Sequence, residues 1–337
     1  MKHSPSNKIK ARYLYLSSFL ILIGSFVHGM VTGASDIGLE ELFDTVINGN
    51  TDSPAANIFI YVRLPRVLAA LTCGAALSVA GATVQCALAN RLASPSIIGI
   101  NAGAGLAVTV CAAFGVVGGF GLSLSAFLGA LGAAFIVSMG AKKWGASRGT
   151  VILMGVALNS LLGAASDVIV TFYPDAALMS NDFRVGDMSA ATYQKILPAA
   201  ILIILAIGAL ISLCARMDVL MLGNESAVGL GLNANLTRAL LLMLCALLAG
   251  CAVSVCGLLS FVGLLVPHAV RAIAGTASKR LIPLCALFGA GLVTLCDALS
   301  RIVFAPYEVP VGVIFAFVGA PFFVFILIKG KRGRQDD

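Results

Sequence analysis

The sequence predicts an all-α, polytopic membrane protein, and three observations carry that expectation. Apolar residues make up 59% of the 337 positions and charged residues only 11%, against about 25% charged in an ordinary soluble domain. The apolar residues come in runs of span length, and at ~20 residues per crossing the chain has room for about ten helices. The charges collect in the short links between those runs. A chain this poor in charge has no means of covering a water-facing surface of ordinary size, which excludes a soluble globular protein.

Helices are expected at about 13–33, 59–88, 95–117, 119–141, 149–173, 192–214, 235–256, 264–275, 280–302 and 311–329. The first run follows a basic stretch, as in a signal peptide, but no convincing cleavage site follows it, so it reads as an uncleaved first span. The eighth is too short to span alone. Its surroundings, CGLLSFVGLLVPHAV, are interrupted by Gly and Pro, as suits backbone shielded by protein rather than lipid. Residues 1–337 therefore form one membrane domain with no soluble domain.

Ten passes place both termini on one side, and the cations say which. Of the 22 Lys and Arg residues, 17 fall on the side of the termini; Arg63, Arg66, Arg184, Lys195 and Arg301 fall on the other. Asp36, Glu40, Glu41, Asp44, Asp52, Asp175, Asp182, Asp187 and Glu308 also lie on that other side. Cytoplasmic links are enriched in Lys and Arg, so both termini are expected in the cytoplasm. The formal net charge of +7 then reflects these links, and a nucleic-acid partner is not expected.

Enzymatic signatures are missing. The sequence has no GxxxxGK[ST] loop for ATP, no HExxH and no GxSxG. The nine cysteines form no CxxC pair and no zinc spacing, so they read as small packing residues. His268, which follows Pro267, reads as structural. No cofactor or metal is expected.

Three groups of residues stand out instead. The first is the internal link 215–238, where Gly223, Ala227 and Gly231 fall at i, i+4 and i+8. As a helix it would show a smooth face to a closely approaching partner; a plain surface helix is the other reading. The second is the stripe Gly155, Asn159, Gly163 and Asp167 in the fifth helix. It serves either close interhelical packing with hydrogen bonds or the lining of a polar channel. The third is the pair of in-span acids, Asp167 and Asp297. A mid-bilayer charge costs roughly 2.5–3.5 kcal/mol, and Asp297 can pair with Arg301 at i+4. These two acids also raise a rival class, a proton-coupled secondary transporter that relays protons through Asp167 or Asp297.

The block RLPRVLAALTCGAALSVAGATVQCALANRLASPSIIGINAGAG (63–105) resembles the FecCD-type permeases of ATP-binding-cassette importers for ferric siderophores, haem and cobalamin. The likeness continues at LGNESAVGLGL (222–232), GLLSFVGLLVPHAVR (257–271) and CDALSRIVFAPYEVPVGVIFAFVGAPFFVFIL (296–327). It implies the type II permease architecture: ten helices per subunit in a homodimer or a pair of sister permeases, with the pathway at the subunit interface. It also implies two cytoplasmic ATPases beneath, a periplasmic binding protein above, and alternating access in the bacterial inner membrane. The resemblance assigns Arg63, Arg66 and Arg301 to binding-protein docking, with interfacial snorkelling or internal pairing to Glu308 and the acidic first loop as the other reading. It assigns Gly223, Asn224, Glu225, Ala227, Leu230 and Gly231 to ATPase coupling. The family's Gly-acid-x-x-Ala-x-x-Leu-Gly pattern has Asn224 at its acidic position here. It places the fifth-helix stripe beside the pathway. The stretch SNDFRVGDM (180–188) departs from the family, so substrate specificity does not carry over. Ferric siderophore is the expected substrate, ahead of haem and cobalamin.

Topology is directly testable. Reporter fusions after residues 90, 145, 225, 277 and 335 should report the cytoplasm, and fusions near 45, 180 and 306 the outside. An external reading at 225 would remove the link 215–238 from any contact with a cytoplasmic ATPase.

Overall fold

Backbone polar groups inside hydrocarbon must be paired within the chain, which leaves a many-pass chain of this composition to build helices. The computed structural model describes residues 5–33, 53–116, 118–143, 148–305 and 307–332, and these are helices and connecting turns without a strand. The elements are α1 (Pro5–Val31), α2 (Pro54–Ala87), α3 (Ile100–Ala113), α4 (Gly119–Lys143), α5 (Arg148–Phe172), α6 (Pro174–Met179), α7 (Asn181–Val185), α8 (Tyr193–Met221), α9 (Asn224–Gly229), α10 (Ala234–Cys256), α11 (Val262–Ala274), α12 (Ser278–Ser300) and α13 (Val311–Arg332). Among the described residues seven helices are long and apolar enough to cross a membrane, and α3, α11 and the apolar part of α13 are shorter. Together these match the ten expected segments.

Three boundaries differ from expectation for identifiable reasons. The third segment does not begin at 95: Pro95–Ile98 forms a 3-10 turn and Gly99 takes a left-handed conformation (φ 88°) before α3 starts. The sixth segment runs on to Met221, well past 214. Asp218 on this extension accepts a 2.9 Å hydrogen bond from the Ser278 N–H at the start of α12, and Gly223 (φ 115°) ends the run. The second segment starts earlier, at Pro54, and contains a π-helical turn, Phe59–Arg63. Single π turns of this kind recur at functional positions. Tyr193 of α8 donates to the Ile60 carbonyl in that turn at 2.7 Å.

The central element is α2, in which 78% of the most apolar stretch is buried; α8, α10, α11 and α12 pack around it. Close approach is built into its surface. A Cβ on Gly81 would lie 1.9 Å from the Gly263 carbonyl oxygen, so α11 rests directly on the α2 backbone. Gln85 Nε2 donates to that same carbonyl at 3.1 Å, and Arg271 Nη1 donates to Gln85 Oε1. The short α11 is thus held by protein, as its broken sequence predicts. The irregular backbone before it is paired too: the Leu258 N–H donates to the Phe183 carbonyl at 2.8 Å.

At the end of the bundle where α1 and α12 finish and α2 begins, three arginines meet two acids. From the sequence, Arg63, Arg66 and Arg301 read as external cations, with docking of a partner or internal pairing as their roles; the structure shows them buried and bonded within the chain. All three are buried, at 3%, 5% and 2% of their full accessibility. Asp297, fully buried, accepts from Arg66 Nε at 3.0 Å and from Arg301 Nε at 3.2 Å and Nη2. Arg66 Nη1 donates to Glu308 at 2.5 Å. Arg301 Nη1 donates to the Gly29 and Thr32 carbonyls at 3.0 and 2.9 Å, and Arg63 Nη1 to Met30 and Val31 at 2.9 and 2.7 Å. The Arg63 guanidinium also lies 5.1 Å from the Phe59 ring centroid. The physical reason is desolvation. A guanidinium inside a helix bundle needs carboxylates and carbonyls on its donors, and the C-terminal end of α1, whose last carbonyls have no partner within the helix, supplies carbonyls. The acids of the first loop, Asp36, Glu40, Glu41, Asp44 and Asp52, lie outside the described residues.

This knot makes a stability prediction. Asp297→Asn leaves two buried guanidiniums short of their shared counter-charge and should cost about 3–5 kcal/mol. Glu308→Gln, at a side chain 35% exposed, should cost about 1 kcal/mol or less. Thermal and denaturant midpoints of the purified chain in detergent measure both. Equal midpoints for Asp297→Asn and the parent would show that the pairs contribute nothing.

Candidate functional site

The least enclosed long span is α5, with 11% of its most apolar stretch buried. Its neighbours α3, α4, α6 and the 95–98 turn leave most of its surface uncovered. Along this helix lies an open cavity of about 540 Å³ lined by polar groups from three elements: Ser96 and Asn101 before and within α3, Asn159, Ser166 and Asp167 on α5, and Arg184 on α7. Asn159 Nδ2 donates to the Ser96 carbonyl at 2.9 Å, which ties α5 to the 3-10 turn and orients the amide at the cavity wall. Arg184 Nη2 donates to Thr109 Oγ1 on α3 at 3.3 Å. A carboxylate and a guanidinium therefore share one opening.

The stripe read from the sequence divides here. Asn159, Gly163 and Asp167 line the cavity. Gly155 does not: a Cβ there would sit 1.9 Å from the Ile97 carbonyl oxygen, so Gly155 is a packing residue that lets the 95–98 turn reach α5. The slow drift of a four-residue step around a 3.6-residue helix carries its two ends to different neighbours. Asp167 is exposed, whereas Asp297 has no exposed surface and is held by two arginines. Sequence reasoning missed Ser96, Asn101, Ser166 and Arg184 as cavity residues. Arg184 had left a trace, as an external cation that the resemblance did not account for.

The second candidate surface is the 222–236 corner at the opposite end of the bundle. The sequence suggested one long helical face through Gly223, Ala227 and Gly231; the structure corrects this. The helix, α9, covers only Asn224–Gly229, with Gly223 before it and Gly231 (φ 77°) in the turn after it. Ala227 is fully buried and belongs to the main apolar core. It anchors the corner rather than facing outward. The outward side chains are Leu222, Val228, Leu230 and Leu236, each at least 64% exposed, with Asn224 and Glu225 exposed beside them. Asn224 Oδ1 accepts from Arg238 Nη2 at 2.6 Å, and Arg238 Nε donates to the Ala87 carbonyl at 3.1 Å. The Asn at the family's acidic position thus pins α9 to the end of α2 through a buried arginine.

Comparisons with known proteins show the family and the fold. The FecCD transport family matches residues 20–329. The chain is 34% identical over 340 residues to the Fe(3+)-citrate import system permease protein YfmD of Bacillus subtilis, covering 98% of this chain and 99% of that one. It is 33% identical over 318 residues to the hemin transport system permease protein HmuU of Yersinia pestis, covering 91% and 94%. A solved chain from a metal-chelate type ABC transporter in an inward-facing conformation superposes with a TM-score of 0.82 at 26% identity, over 95% of this chain and 99% of that one. With the match running from the first span to the last, the chain belongs to the FecCD transport family.

Proposed function

We propose that this chain is the membrane-spanning permease of an ATP-binding-cassette importer and that it carries an iron chelate inward. The observation that carries the reading is the polar cavity along α5, on a chain whose full-length relatives bear the names of ferric-citrate and hemin permeases. A long helix left open along most of its length calls for a partner. A second permease subunit facing α5 would close the cavity into a pathway with two copies of Asn159, Asp167 and Arg184. Both termini and α9 face the cytoplasm in this reading, in line with the cation distribution. ATP is bound and hydrolysed by a separate ATPase, two copies per transporter, which seats on the exposed apolar corner around α9. Closure of the ATPases moves that corner, and α8 and α10, which flank it in the chain, pass the motion to the bundle.

The arginine end faces a periplasmic binding protein. Because Arg66 is already paired, a docking carboxylate would exchange with Glu308, its half-exposed partner, while Asp297 keeps Arg66 and Arg301 oriented. Ferric siderophore or ferric citrate is the favoured cargo, with haem and cobalamin as the other chelates of the class. The proton-relay reading has no support in Asp297, whose carboxylate is enclosed by two guanidiniums.

Uptake of radioiron from single defined chelates by a deletion strain carrying the gene tests the function. The double variant Val228→Asp, Leu230→Asp places two charges on the exposed corner without touching the core. It should abolish uptake and reduce ATPase co-purification at least about tenfold, a loss of about 1.4 kcal/mol, at unchanged membrane levels. Full ATPase retention would overturn the contact. Ala227→Trp should instead lower the chain's own melting temperature, since Ala227 is buried.

Cavity access is the second test. In a background cleared of the nine native cysteines, cysteines at 159, 163 and 167 should react with a water-soluble thiol reagent, and their rates should change when the ATPases are trapped with vanadate. A cysteine at 155 should be protected in both states. Uniform protection at all four positions would leave α5 a packing helix.

A further inference from the structure

A groove of about 580 Å³ lies far from the α5 cavity, between α1 and the corner where α11 passes into α12. Tyr13, Tyr15 and Leu20 of α1 form one wall; Ile273, Arg280 and Leu284 form the other. Among the described lining residues Arg280 is the one charged side chain, and none is an acid. Among the described residues the Arg280 guanidinium makes no hydrogen bond or ion pair, whereas the buried arginines of the knot are all paired. Arg280 sits in the first turn of α12, so it lies at the level where a span meets the headgroups. The exposed Tyr13 belongs to the same level, where tyrosines concentrate. Deeper along the groove the walls are aliphatic.

We propose that this groove binds one anionic phospholipid, with Arg280 on the phosphate, the tyrosine hydroxyls near the glycerol and an acyl chain along Leu20 and Leu284. Three features select this occupant over a protein helix or a soluble anion. The cation stands at headgroup depth and, among the described residues, pairs with no carboxylate, since the nearby Asp218 is engaged with the Ser278 N–H. The apolar floor continues from it toward the membrane interior, which a free phosphate would not use. The outer face of α1 is largely uncovered, with 22% of its most apolar stretch buried, so the groove opens toward lipid.

The test uses the full chain, purified in mild detergent, stripped of lipid and titrated with phosphatidylglycerol or phosphatidylethanolamine under native mass spectrometry. One phosphatidylglycerol per chain should bind about fivefold more tightly than phosphatidylethanolamine, the equivalent of one interfacial cation. Arg280→Gln should erase that preference, and Lys279→Gln, at the exposed neighbour, should keep it. Ala274→Trp, which fills the groove, should remove the tight site for both lipids. Equal binding of the two lipids by the parent chain, or an unchanged preference in Arg280→Gln, would overturn the proposal. Displacement by millimolar inorganic phosphate would assign Arg280 to a free anion instead. Loss of the bound lipid on self-association would assign the groove to a second copy of the chain.

Discussion

The fold depends on a carboxylate that has no contact with water. Asp297 joins α12 to α2 through Arg66 and, within its own helix, positions Arg301 to hold the last carbonyls of α1. Three helices that share little sequence proximity are thereby locked at one end of the bundle. In hydrocarbon the usual driving force for association is weak, because lipid tails are as apolar as side chains. Buried ion pairs and carbonyl contacts therefore supply specificity of register, and removal of either partner leaves a charge with no solvent to take it. The same arrangement explains how arginines come to lie on the acidic side of the chain: they are components of the scaffold before they are anything else.

From that end the structure divides into a dense half and an open half. The dense half is α2 with α8, α10, α11 and α12, where small residues bring backbones into contact, as at Gly81 over Gly263. The open half is α5 with its polar cavity and a largely uncovered surface. A densely packed hub thus lies beside a face that the chain itself leaves uncovered. The α9 corner belongs to the hub, since Ala227 is buried in the core and Asn224 is fastened by Arg238 to the end of α2. Arg238 therefore joins this corner directly to the end of the central helix.

Much of this was legible from spacing and charge. The number of apolar segments, the protein-shielded character of 257–275, the pairing of Asp297 with Arg301 and the polar nature of the α5 stripe all follow from local pattern. What pattern could not report was direction. Gly223, Ala227 and Gly231 recur at helical spacing, yet the middle one points inward and the outer two are turn positions with positive φ. Gly155 and Asp167 belong to one stripe, yet one meets a backbone carbonyl and the other an open cavity. The exposed leucines around α9 gave no signal, because an apolar side chain in a membrane protein is unremarkable until its surroundings are known.

By itself the sequence determined the solvent this chain lives in, its helical class and its ten segments, because those follow from composition, run length and the requirement that backbone groups be paired in lipid. Through the motif blocks it also determined the family. The tertiary structure alone decided which charges are buried and paired, which small residues touch backbone and which polar groups converge on one cavity. Those outcomes depend on contacts between residues as distant as Arg66 and Asp297 or Asn159 and Ser96. Local periodicity assigns a residue to a face of its own helix, but only the packing of the other helices determines whether that face meets lipid, protein or water.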